Sequence, residues 1–154
     1  MLNVSDGAWF HEDDRGQVEI LPIESRHYVE SEFVAIRGIE VSPFGFRDIH
    51  LREQVPITLE SLNISRSDVV EALCPPMTLL EEVYSGYSSE RYRVEKSIAL
   101  LHDDESPIYV EANDNDIVTV IWMAAASRYL GRIPFAERLI LVDWNQTAWM
   151  PLGT

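Results

Sequence analysis

The sequence predicts an α+β domain: an antiparallel β-sheet of about six to eight strands, with a two-helix insert at roughly residues 58–86 packed on one face. Three observations carry this expectation. Strand-like runs occupy both ends of the chain and helix caps cluster in the middle, without the regular βα alternation of a parallel sheet. Within Ser106–Ala126, the β-rich runs Ile108–Ala112 and Ile117–Met123 flank the polar tetrad Asn113–Asp116, which reads as a hairpin around its own turn. The chain has 154 residues, 46% of them apolar, enough for one core in a single globular domain spanning 1–154.

In the hairpin, Ile108, Val110 and Ala112 share one face and Tyr109 and Glu111 the other, the alternation of a half-buried strand. Its second run is apolar on both faces, so it is expected at the centre of the sheet.

From the start of the chain, Ala8–Phe10 and Gln17–Leu21 flank the connector HEDDRG and predict an opening hairpin. Pro22 ends its second strand or confines it to an edge. His27–Arg37 mixes apolar residues of both parities and is read as a strand with a polar start and a buried end. After Gly38, Ile39–Val41 and Phe46–Leu51 read as two short strands or one bulged strand, with Phe44 and Phe46 around a tight turn.

The pattern changes at Pro56. Thr58 is placed to cap a short turn through Leu62, and Ser65 or Ser67 to cap a helix over Asp68–Leu73 that ends at Pro75 and Pro76. Thr78 with Glu81 forms a capping box for a second helix, Leu79–Ser85, closed by Gly86. Arg91–Leu101 resumes the strands. Ala124–Ile133 suits a short helix closed by Gly131, and Leu139–Trp144 and Ala148–Leu152 make a last strand pair with its reversal at Asp143–Thr147.

Charge narrows the function. Against 26 acidic residues stand 12 basic ones, for a net charge of −14. Nucleic acid and anionic membrane lack the basic footprint they require. A basic protein partner, such as a toxin or nuclease domain, is the electrostatic complement, although acid also serves solubility alone. The segment Ile57–Leu73 looks like a helix-turn-helix, but Asp68 and Glu71 on its second helix argue against DNA. Lys96 is the single lysine beside eleven arginines, and arginine favours fixed, bidentate pairings.

Catalytic and ligand motifs are sparse. The lone Cys74 precludes an intrachain disulfide and reads as a small buried hydrophobe before Pro75. No two of His11, His27, His50 and His102 have HExxH or zinc-finger spacing. His11–Asp14 and His102–Glu105 each set acids behind a histidine in a turn, and form a divalent-cation site only if the two turns meet. Counted from Asp114, the EF-hand pattern fails, with Thr119 where glycine is needed and Ala125 where glutamate is. Neither a GxSxG elbow nor a phosphate-binding glycine loop occurs.

The expectation is therefore a non-enzymatic binding or inhibitor protein without cofactor or metal. Its candidate partner-binding residues are Glu12, Asp13, Asp14, Asp103, Asp104, Glu105, Asp114, Asp116, Trp144 and Trp149, acids to steer and rings to anchor. By size, charge and expected compartment the chain is similar to bacterial toxin-neutralising immunity proteins, an analogy resting on no shared motif. The alternatives are a small metal-dependent hydrolase using His11, His102 and nearby carboxylates, or an adaptor subunit. The N-terminus has no basic and apolar leader pattern and no run approaches a membrane span, so a soluble cytoplasmic protein is expected.

Overall fold

A computed structural model describes residues 8–38, 55–87 and 90–153. In chain order the strands are β1 (Ala8–Phe10), β2 (Val18–Pro22), β3 (Thr78–Leu80), β4 (Val83–Tyr87), β5 (Glu90–Arg93), β6 (Ser97–His102), β7 (Glu105–Ala112), β8 (Val118–Met123), β9 (Leu139–Asp143) and β10 (Ala148–Pro151). The α-helices are α1 (Arg26–Arg37) and α2 (Arg66–Leu73).

The predicted hairpin is the spine of the molecule. β7 and β8 pair antiparallel from Ile108 opposite Met123 to Ala112 opposite Val118, with one bulge near the turn. They sit inside a seven-stranded antiparallel sheet ordered β10-β9-β2-β8-β7-β6-β3, so the doubly apolar β8 is the central strand. The α+β class and the strand number follow the sequence pattern.

Each face of this sheet has its own cover. One face, carrying Val18, Ile20, Ile108, Val110, Ile121, Met123, Leu139 and Leu141, packs against Leu59, Ile64, Val69 and Leu73 of the central insert and Leu130 and Ile133 beyond β8. The other face is covered in two pieces. Over β9 and β2, α1 sets Val29 and Phe33 on Leu21, Ile140, Val142 and Trp144. Over β8, β7 and β6, a three-stranded sheet ordered β1-β4-β5 sets Ala8, Phe10 and Val83 on Ala99, Tyr109 and Trp122. Trp122 is only 1% exposed, with the Phe10 ring edge-on at 4.7 Å and Tyr109 stacked at 4.4 Å. Burying each such large apolar side chain stabilises by about 1.5–3 kcal/mol.

Several local expectations are overturned. β1 and β2 do not form a hairpin: β1 pairs parallel with β4 in the small sheet, while β2 lies between β9 and β8 in the large one. His27–Arg37 is helix rather than strand. Its mixed parity is the 3.6-residue period of Val29, Phe33 and Ile36, which α1 turns toward the sheet.

In the insert, a 3-10 turn over Leu59–Leu62 follows Thr58, whose side chain makes no cap bond. α2 is capped as expected, Ser65 Oγ accepting the Asp68 N–H at 3.1 Å. The second insert helix is absent. Residues 78–80 and 83–87 are β3 and β4, because Leu79 and Leu80 gain partners along β6 and residues 84–87 pair with β5.

Arg91–Leu101 is two strands, one in each sheet. Ala124–Ile133 forms only the 3-10 turn Leu130–Arg132. The reversal at Asp143–Thr147 is present, with Asp143 Oδ1 accepting the Asn145 and Gln146 N–H groups at 3.0 Å each. The short strands expected at Ile39–Val41 and Phe46–Leu51, and the Phe44–Phe46 turn, lie outside the described residues. Among the described residues no helix is long and apolar enough to cross a membrane.

Candidate partner-binding site

The ten candidate residues fall into three places. The first is the turn after β1. Glu12–Asp14 form one turn of 3-10 helix, and His11 caps it: Nδ1 accepts the Asp13 N–H at 3.2 Å, and the His11 carbonyl accepts the Asp14 N–H at 2.9 Å. Gln17 Nε2 donates to the Asp13 carbonyl at 3.1 Å and to Asp14 Oδ1 at 3.4 Å. Tyr92 donates its hydroxyl to Glu12 Oε1, and that carboxylate pushes the phenol pKa up. One guanidinium nitrogen of Arg15 lies 2.8 and 2.7 Å from the two oxygens of Glu111. All three carboxylates of the turn are exposed. Close by, burial pushes the Tyr109 phenol up to about 12, with a smaller contribution from the Asp14 charge.

The tip of the β7–β8 hairpin lies close to this turn. Glu111 is the penultimate residue of β7, so Arg15 ties the first turn to the strand end from which the tip springs. Asn113 Oδ1 accepts the Asn115 and Ile117 N–H groups at 2.9 and 3.1 Å, and Asp116 closes the turn at φ +63°. Asp114 pairs with Lys96, and Asp116 with Arg66 at 2.8 Å.

The second histidine turn is the β6–β7 hairpin. His102 repeats the capping bond of His11, its Nδ1 accepting the Asp104 N–H at 3.2 Å. The proton of a neutral ring then sits on Nε2, directed at the Tyr129 hydroxyl 3.4 Å away. Arg128 reaches Glu105 at 3.3 Å and Asp104 at 3.9 Å. The guanidiniums of Arg128 and Arg132 lie 5.0 and 5.2 Å from the Tyr129 ring centroid. Asp103 is exposed.

The two histidine turns are not brought together. His102 is opposite Glu105 at the start of β7, whereas Arg15 holds the first turn to Glu111, six residues or roughly 20 Å further along at the rise of a strand. Among the described residues no group of three or more His, Cys, Asp and Glu side chains is placed to hold a metal ion. Burial pushes the Cys74 thiol pKa up, away from the thiolate that nucleophilic chemistry needs.

The tryptophans form the third place, at the β9–β10 edge. Trp144 is no exposed anchor. It is 8% exposed, packs edge-on to Phe33 at 5.3 Å and donates its indole N–H to Glu19 at 2.9 Å. The large ring seals the sheet beneath α1. Trp149 is half-buried and donates to Glu30 at 3.3 Å, lining an open groove of about 410 Å³ with Phe33, Val34 and Arg37.

Arg15, Glu111, Tyr92 and Arg128 organise these turns and escape a reading of the sequence. Their partners are 96, 80 and 23 residues away, beyond any local spacing rule. Comparison with known proteins finds no matching family, no matching curated protein and no matching solved structure.

Proposed function

We propose that this chain is a non-enzymatic acidic binding protein that docks on a basic protein partner and blocks it, as toxin-neutralising immunity proteins do. The observation that carries the reading is the turn Glu12–Asp14. Its three exposed carboxylates stand on a turn already set by the His11 cap, Gln17 and the Arg15–Glu111 pair, within one arginine side chain of the strand end that leads to the acidic hairpin tip. Presetting carboxylates in this way lowers the ordering cost of association, and their charge steers a cationic surface. Asp114 and Asp116 extend the patch but are partly neutralised by Lys96 and Arg66. Asp104 and Glu105, held by Arg128 at the other end of β7, contribute less.

The test starts with affinity capture from the native host at low and moderate salt, followed by titration of the captured protein against wild type and the triple variant Asp13→Ala, Asp14→Ala, Asp114→Ala. A basic partner whose affinity falls about tenfold or more in the variant, with a shallower salt dependence, supports the reading. A partner that binds both proteins equally at low salt removes this face from consideration.

A further inference from the structure

The small sheet carries a feature opposite in sign to the rest of the molecule. β5 is an edge strand of the three-stranded sheet among the described residues, and all four of its side chains are exposed. Its neighbour β4 pairs Tyr84 with Arg93 and Gly86 with Arg91, and β1 pairs Trp9 with Tyr84. Side chains alternate along a strand, so Trp9, Tyr84, Arg91 and Arg93 share the face turned away from the large sheet, while Ala8, Phe10 and Val83 face inward. The Arg91 guanidinium lies 5.1 Å from the Trp9 ring centroid, fixing it by a cation–π contact. In a chain with 26 acidic residues, neither Arg91 nor Arg93 has a carboxylate within ion-pair distance among the described residues.

The backbone is equally specific. The Val94 N–H donates to the Val83 carbonyl at 2.8 Å, so the alternation of an antiparallel ladder assigns the hydrogen-bonded pairs to 83 with 94, 85 with 92 and 87 with 90. The main-chain N–H and C=O groups of Arg91 and Arg93 consequently point to the open edge.

We infer that this edge accepts an extended acidic peptide segment as an added strand, its main chain bonding to Arg91 and Arg93 and two carboxylates, one residue apart, facing the two guanidiniums. The occupant follows from charge. Opposite residues in an added strand share a face. A second copy of β5 pairing antiparallel places Arg91 against itself or against Arg93 in every face-matched register that engages at least three of its four residues, so like charges oppose each other. An acidic strand instead converts both positions into opposite-charge pairs, while the aromatic shelf of Trp9 and Tyr84 flanks them. This surface is distinct from the acidic patch above and selects a partner of the opposite charge.

The experiment is fluorescence anisotropy at about 150 mM salt, where long-range repulsion from the rest of the chain is screened within roughly 8 Å. The probes are a labelled eight-residue peptide alternating glutamate with threonine or valine, and its counterpart with lysine for glutamate. Wild-type protein is expected to bind the acidic peptide about tenfold tighter than the lysine peptide, and the variant Arg91→Glu, Arg93→Glu to reverse that order. Amide exchange is the second readout: the acidic peptide slows the Arg91 and Arg93 N–H groups and leaves Tyr92, already bonded inward, unchanged. Arg91→Gln, Arg93→Gln gives the same loss of acidic-peptide binding if the glutamate variant does not fold. The inference is overturned if the lysine peptide binds wild type more tightly, if the glutamine variant keeps the acidic peptide, or if β5 mediates a dimer. Each of these results leaves the acidic-patch reading standing, since that reading predicts nothing about β5.

Discussion

The turns His11–Asp14 and His102–Glu105 start from nearly the same sequence and end in different electrostatic surroundings. In both, a histidine Nδ1 accepts the N–H two residues on, at 3.2 Å, and the acids that follow face outward. The first turn then meets a tyrosine hydroxyl, a glutamine amide and, through Arg15, a carboxylate on β7. The second meets Arg128 beside a tyrosine, and two of its acids, Asp104 and Glu105, share that one guanidinium. The histidine capping bond is thus common to a 3-10 turn and a tight hairpin, whereas the neighbours supplied by distant strands decide whether the charge remains available to a partner.

The comparison breaks most sharply at Phe10. Phe10→Ala removes the ring wedged edge-on to Trp122 and Tyr109, at 4.7 and 5.1 Å, and with it the packing that seats β1 and the first turn. A cost of about 3–5 kcal/mol is expected in denaturant unfolding. Amide spectra of the variant should lose the Asp13 signature and keep that of Asp104. Equal disturbance of both turns would mean that they are not independently supported.

Alkaline pH separates the turns next, through Tyr109. Its folded pKa of about 12 lies above the ordinary value of 10, so above pH 10 the folded protein holds a proton that the unfolded chain releases. The contribution is complete below pH 10 and is lost between pH 10 and 12, by about 2.7 kcal/mol as an upper bound. Tyr109→Phe should flatten that decline in unfolding experiments from pH 9 to 12. An unchanged slope would place the titrating group elsewhere.

The smallest effects come from the arginines. Arg15→Ala is expected to cost about 1 kcal/mol, since its partner Glu111 is well covered, with a side chain 19% exposed. Arg128→Ala, removing longer contacts from a side chain 59% exposed, should leave stability nearly unchanged, while freeing Asp104 and Glu105 to steer a basic partner. Paired unfolding curves check the order, and a faster association rate for the Arg128 variant would sharpen the distinction between the turns.

Legibility in the sequence followed the range of the interactions. The β7–β8 hairpin, the central place of β8, the Ser65 cap and the Asp143 reversal each rest on residues within a few positions of one another, and each could be read directly. The stretch 27–37 misled because a helix packed on one face also spreads apolar residues over both strand parities. Val29, Phe33 and Ile36 are resolved as a single face only by the period of a helix. Thr78 and Glu81 carried a good local helix start, but Leu79 and Leu80 are strand because β6 offers them an edge. The candidate acids were legible as exposed turns. Their cations, Lys96, Arg66 and Arg128, were not, because no spacing rule links them to Asp114, Asp116 and Glu105.

By itself, the sequence determined the class of the fold, the central strand, the acidity of the chain and the place of both histidine turns, since these depend on composition and on patterns within a few residues. Only the tertiary structure decided that β1 leaves β2 for a second sheet, that Trp144 is core, and that the arginines of β5 have no carboxylate within ion-pair distance among the described residues. Those outcomes depend on which distant strand supplies a neighbour, a choice made by burial of whole faces rather than by any one residue's preference.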